Sequence, residues 1–194
     1  MKIRSMGGPT YQLKVTLWGS NPPIWRRFLV PSDITLKHLH HALQMVMGWS
    51  DSHMHQFSAG GVFYGTPNHE FGAQTVSESK TKLDKVLRNP NDRIAYEYDF
   101  GDSWEHEIEL EQILPHTRGA RYPWILAGER ACPPDDVGGI PGYYHFLEAL
   151  ADPKHPEHED IVDWIGGKFD PDKFDVKKVN LSIHGGWAPN ESEG

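Results

Sequence analysis

Ile94-Ala95-Tyr96-Glu97-Tyr98-Asp99-Phe100-Gly101-Asp102-Ser103-Trp104-Glu105-His106-Glu107-Ile108-Glu109-Leu110-Glu111 sorts its residues by alternation. Past Gly101-Asp102, the positions Trp104, His106, Ile108 and Leu110 form one set, and Glu105, Glu107, Glu109 and Glu111 the other. Side chains of a strand point alternately to its two faces, so residues 103–113 read as a strand with an apolar inner face and a solvated row of carboxylates outside. Residues 94–100 read as its partner, turned at Gly101-Asp102.

Working outward, Tyr11, Leu13, Val15 and Leu17 alternate with Gln12, Lys14 and Thr16, which is again a half-buried strand. Asn21-Pro22-Pro23 turns the chain, and residues 24–30 return as the second arm of a hairpin. Arg26 and Arg27 are expected to be exposed there, either as an anion or partner contact or as soluble groups on an edge strand. From Thr35 the period becomes helical. Leu36, Leu39, His40, Leu43, Val46 and Met47 share a face, and Gly48 is placed to close the helix in a left-handed conformation. Residues 54–64 read as a strand or hairpin turning at Gly60-Gly61, followed by a loop rich in Gly, Ser, Thr and Asn, and residues 82–87 as a short helical turn.

The fold expected is therefore α+β: a β-grasp-like roll over residues 9–114, with a mixed or antiparallel sheet packed on one helix. After Pro115, prolines separate two helices expected at 142–150 and 159–165, a small C-terminal helical lobe over 115–184 that needs the sheet for stability. Residues 9–184 are read as a single domain, with a disordered N-terminal tail at 1–8 and a flexible tail at 185–194.

Acidic residues outnumber basic ones by 27 to 19, a formal charge of -8. Such a surface disfavours nucleic acid as a partner. One cysteine allows no internal disulfide, and no run approaches the roughly 20 apolar residues of a membrane span. A soluble, cytoplasmic protein with no membrane partner is the expectation.

The chemistry-bearing residues lie in a few short segments. His106 shares the inner face of its strand, where an imidazole needs a hydrogen-bond partner, and Asp99 and Asp102 are the nearest candidates. His53 and His55, two apart, would point to one side of an extended strand and could grip one metal ion. Cys132 precedes Pro133-Pro134-Asp135-Asp136; a lone cysteine makes no zinc-finger pattern, so a metal site would gather Cys132 with His53, His55 or His106 from distant segments. A nucleophilic role for Cys132 would need a base such as His106 beside it. Gly138-Gly139 and Gly142 read as a tight turn into a helix, with a phosphate cradle as the less ordinary alternative. His38, His40 and His41 are assigned no chemistry.

Several of these segments together resemble the root-inducing-plasmid ORF-three-like family: Ile24-Trp25-Arg26-Arg27, Gly48-Trp49 with His53 and His55 before Phe57, Tyr98-Asp99-Phe100-Gly101-Asp102 with Trp104 and His106, and Cys132-Pro133-Pro134-Asp135-Asp136 with Gly138-Gly139 and Gly142-Tyr143. Phe169-Asp170-Pro171, Phe174-Asp175 and Val179-Asn180 extend the likeness over nearly the whole chain. The resemblance implies a compact α+β domain and no catalytic residues. Some relatives carry the label of a transposon resolvase, a mobile-element role. Residues 152–194 hold ten Asp and Glu against five Lys and Arg, which would repel DNA.

The function expected first is a binding or interaction domain for a protein or small-molecule ligand. Its polar cleft would be built from Trp49, Asp99, Asp102, Trp104, His106, Cys132, Asp135 and Asp136. The alternative is a metal-binding protein or metal-dependent hydrolase using a divalent metal such as zinc on His53, His55, His106 and Cys132. A DNA-binding factor of mobile elements is the third reading.

Overall fold

A computed structural model describes residue 3 and residues 7–66 and 75–185. The expected C-terminal tail beyond residue 185 and most of the Gly/Ser/Thr/Asn-rich loop lie outside the described residues. Of the expected N-terminal tail, Ile3 is buried and bridges Tyr122.

Eight strands form one mixed sheet: β1 (Thr10–Leu17), β2 (Trp25–Pro31), β3 (His55–Ala59), β4 (Val62–Gly65), β5 (Val76–Ser77), β6 (Arg93–Tyr98), β7 (Trp104–Leu114) and β8 (Trp124–Glu129). Their spatial order is β5-β4-β3-β6-β7-β1-β2-β8. Neighbours run antiparallel except β4 and β5, which are parallel. Five helices accompany it: α1 (Leu36–Met47), α2 (Leu83–Val86), α3 (Gly139–Ala151), α4 (His158–Ile165) and α5 (Val176–His184). No helix among the described residues is long and apolar enough to cross a membrane.

The two periodicities that define the core are realised as read. Trp104, His106, Ile108 and Leu110 are buried while Glu105 and Glu107 face outward. In α1, Thr35 Oγ1 accepts the His38 amide and Gly48, at φ 100°, donates its N–H to Gln44 O at 2.8 Å. The apolar stripe of α1, Leu36, Leu39, Leu43, Val46 and Met47, joins Leu13, Val15, Phe28, Val30, Ile108 and Leu110 in one core. α1 therefore lies on one sheet face, with Tyr143 and Phe146 of α3 joining the same core, and the glutamate face stays open.

Three expectations change. First, Arg26 is 1% exposed, because β2 is an interior strand between β1 and β8 and Arg26 alternates in phase with Phe28 and Val30. Its guanidinium donates to Val46 O, Trp25 O and Glu129 O and lies 3.7 Å from the Phe174 ring centroid. Burial lowers its pKa to about 10. Arg27, by contrast, makes the surface ion pair with Glu111 at 2.5 Å. Second, the segment after Pro115 is not purely helical: Trp124–Glu129 is strand β8, a sheet edge, and α5 packs on it. Asn180 of α5 accepts from Ile125 N–H at 3.0 Å and donates to Ile125 O at 2.9 Å, satisfying the edge as a strand would. Third, α3 starts at Gly139 rather than Gly142. Pro141 falls in the first turn, where its missing N–H would have no intrahelical partner.

Candidate functional site

Three of the segments singled out in the sequence meet at the end of α1. Trp49 Nε1–H donates to Pro133 O at 3.1 Å, and the Ser50 hydroxyl and amide donate to Asp135 Oδ2 at 2.7 and 3.2 Å. Gly138 N–H donates to Asp102 Oδ2 at 3.0 Å. The carboxylate of Asp102 thus sits at the N-terminus of α3, the place a phosphate would take, and complements the helix dipole there. The glycine turn is occupied by the protein's own acid.

Asp99 anchors the β6–β7 turn. It is buried, at φ 58°, and its Oδ1 accepts from the Gly101 and Asp102 amides at 2.9 and 3.4 Å. Its other oxygen, Oδ2, lies 3.6 Å from His53 Nδ1. Across the ring, His53 Nε2 lies 3.2 Å from Asp136 Oδ1. That contact is close but misaligned for hydrogen bonding, so the buried Nε2 has no hydrogen-bond partner. One ligand atom from each of His53, Asp99 and Asp136 falls within 4.8 Å of the others.

His53 and His55 line one cleft but take different partners. β3 begins at His55, so strand alternation does not reach His53. His55 Nε2–H donates to buried Glu78 Oε2, 2.8 Å away, and the ring stacks on His40 at 3.4 Å with the rings 4° from parallel. Burial, the largest single influence, opposes the charge of Glu78, but the hydrogen bond from His55 together with the electrostatic pull of His55, His40 and Lys37 outweighs it and holds this carboxyl below its ordinary range.

His40 belongs to a closed ring of hydrogen bonds. Gln44 Nε2–H donates to Tyr96 OH at 3.0 Å, Tyr96 OH pairs with His40 Nδ1 at 2.8 Å, His40 Nε2 pairs with Asp51 Oδ1 at 2.6 Å, and Asp51 N–H donates to Gln44 Oε1 at 3.0 Å. An ionised Asp51 only accepts, so Nε2 carries the proton and Nδ1 accepts from Tyr96 O–H. Burial, with His55 adding to it, lowers the His40 pKa to about 4 against the pull of Asp51. His41 Nδ1 adds a second contact to Asp51 Oδ2 at 3.3 Å.

These groups face a cleft of about 580 Å³ between α1, the turn before β3 and the Glu78 edge, lined by His40, His41, Asp51, His53, His55 and Glu78. Of these, His40 and His41 are assigned no chemistry from the sequence, and Asp51 and Glu78 carry no sequence signal. The signal for His40 was present, its place on the helix's apolar face, but its partners are brought by β6 and the turn after Gly48.

The remaining candidates are placed elsewhere. His106 is buried, donates Nδ1–H to Tyr96 O at 3.2 Å, and leaves Nε2 without a partner beside the Trp49 ring, 5.1 Å away. Its partner is a strand carbonyl because Asp99 and Asp102 spend their carboxylates on the turn and on Gly138. Burial lowers its pKa to about 4, so it stays neutral. Trp104 is fully buried core, and Trp49 stacks on Tyr98 at 4.9 Å. For Cys132, burial pushes the thiol pKa far up and the charge of Arg26 only partly offsets it, which keeps the sulfur protonated and a poor nucleophile. The expected metal set thus separates: His53 lies with Asp99 and Asp136, His55 with Glu78, His106 with Tyr96, and Cys132 near Arg26.

Residues 9–178 match the plasmid pRiA4b ORF-3-like protein family, and the chain belongs to that family. Among similar proteins, an uncharacterised protein, y4hQ, of Sinorhizobium fredii (strain NBRC 101917 / NGR234) is 37% identical over 174 residues, covering 89% of each chain. The crystal structure of a protein of unknown function, MM3350, from Methanosarcina mazei Go1 superposes with a TM-score of 0.81 at 41% identity, covering 89% of this chain and 98% of that one.

Proposed function

We propose that this chain is a soluble, cytoplasmic binding domain whose cleft over the N-terminal half of α1 takes a small polar ligand or a polar side chain of a partner. The observation that carries this reading is the gathering of His40, His41, His53 and His55 with Asp51 and Glu78 around one cleft of about 580 Å³. Ligand sites combine concave shape with a few convergent polar groups, and a volume of this size suits a small molecule. Trp49, Asp99, Asp102, Asp135 and Asp136 act as the frame that fixes the cleft's rim, while Trp104, His106 and Cys132 serve the core behind it. The β-grasp-like likeness describes a helix held against one sheet face; the adjacent strands β1 and β7 run antiparallel.

The experiment is a thermal-shift panel of amines, carboxylates, nucleobases and divalent ions on the purified full chain, repeated on His55→Ala and Glu78→Gln. Ligands that stabilise the parent and lose their effect in both variants support the reading. Ligands whose effect is unchanged in both variants contradict it. A metal-binding protein, with metal-dependent hydrolysis as its extension, is the second reading, favoured by the two His/Asp groups in this region. A role as a mobile-element DNA factor finds no support in a charge of -8.

A further inference from the structure

We propose that His53, Asp99 and Asp136 form a site for one divalent transition-metal ion at the rim of the cleft; this rests on the binding-domain reading and supplies its ligand class. His53 stands between two carboxylates, 3.6 Å from Asp99 Oδ2 and 3.2 Å from Asp136 Oδ1, and its Nε2 is enclosed without an aligned hydrogen bond. Leaving such a nitrogen unpaired is unfavourable, and a cation between imidazole and carboxylate satisfies both. Ligands that each lie about 2.0 to 2.2 Å from a tetrahedral ion stand roughly 3.4 Å apart; one ion takes one ring nitrogen, and His53 Nε2 with Asp136 Oδ1, 3.2 Å apart, meets that spacing, while Asp99 faces the other nitrogen. The three donors fall within 4.8 Å of one another, a span closed by a small movement of Asp136, whose side chain is 71% exposed.

The supporting groups fit the role. Asp99 is pre-aimed: Oδ1 is held by the Gly101 and Asp102 amides, its N–H by Met54 O and its carbonyl by Ser103 N–H. Metal-binding carboxylates are oriented by outer hydrogen bonds of this kind. Next to Asp136, the buried Oδ1 of Asp135 lacks a donor, which adds negative charge to the same loop. The rival group, His40, His41 and Asp51, is a weaker choice. Both nitrogens of His40 are committed to Tyr96 and Asp51, and a metal would have to break the closed ring.

One imidazole and two carboxylates form a borderline donor set that suits zinc or manganese better than calcium, which prefers six to eight oxygens. Three protein ligands leave positions open to water.

The test uses the untagged full chain, stripped with chelator, loaded with Zn²⁺ or Mn²⁺ and desalted, with metal measured by elemental analysis and affinity by competition with a chromophoric chelator. The expected result is one ion per chain, with affinity reduced more than about 100-fold in His53→Ala and in Asp136→Asn and unchanged in His145→Ala, an exposed histidine paired with Glu157. Asp136 is exposed, so its variant keeps the fold, which circular dichroism verifies. Metal that survives both substitutions, or is lost in His145→Ala instead, overturns the site. A chain that holds neither ion yet binds polar ligands in the cleft overturns the site and leaves the binding-domain reading standing. Stoichiometric metal lost in both variants, with no other cleft ligand, supports the site.

Discussion

Asp102 and Gly138, 36 residues apart, are joined by a 3.0 Å hydrogen bond from the Gly138 amide to Asp102 Oδ2. Immediately after it, Gly139 has φ 67°, and a Cβ there would run into Asp102 O. The turn of the sheet and the start of α3 are therefore in backbone contact, which seats the 132–138 loop over the cleft rim.

Gly139→Ala should destabilise the chain by roughly 2 to 4 kcal/mol, combining left-handed strain with a backbone clash. Gly166→Ala is the control. Gly166 has φ 64° but open space around it, so the cost should be about 1 kcal/mol. Urea unfolding of both variants measures the difference, and equal costs would deny the close approach.

Stability should fall as pH drops from about 6.5 to about 4. His40 and His106 are buried with pKa lowered to about 4, so over this window the unfolded chain binds more protons than the folded one, and stability rises with pH. Each histidine contributes at most about 3 kcal/mol. Glu78, whose pKa is also depressed, adds a loss at lower pH as its carboxylate is protonated. Chemical denaturation at pH 7, 5.5 and 4.5 checks the slope, and His106→Gln should flatten it.

Arg26→Met should cost about 2 to 4 kcal/mol, because Val46 O, Trp25 O and Glu129 O lose their donor in the interior. Arg26→Lys should not restore it, since an ammonium cannot reproduce the guanidinium's planar fork or its contact with Phe174. Thermal melts of the two variants decide this, and a lysine variant as stable as the parent would refute the assignment.

Asn180→Asp should loosen α5 from β8. Aspartate can still accept from Ile125 N–H but cannot donate to Ile125 O, a loss of about 1 to 3 kcal/mol. Hydrogen exchange at the Ile125 amide should accelerate, while exchange at Leu13 in the middle of the sheet should not change.

What the sequence made legible was periodicity. The alternation from Trp104 to Glu111 and the stripe from Leu36 to Met47 predict faces correctly, because period two and period 3.6 are local properties of the chain. The convergence of Trp49, Asp102 and Asp135 was inferable only as a bet, since no local rule says which turns meet. Arg26 was misread because charge suggested exposure, whereas its strand's position between β1 and β8 governs burial. His40, read as part of the helix's apolar face with no chemistry, and Asp51 and Glu78 are not legible as site residues for a related reason: each acquires its partner from a different element, and nothing in their spacing announces it. β8 was hidden by the prolines on either side of it.

The central claim is that distant segments meet to leave one ligand-accepting cleft over α1. Soaking crystals of the full chain with a library of small polar fragments tests it most directly. The account predicts density between His40, His55, Asp51 and Glu78. Fragments found only on the open sheet face, beside the exposed Trp18 and Phe63, would contradict it.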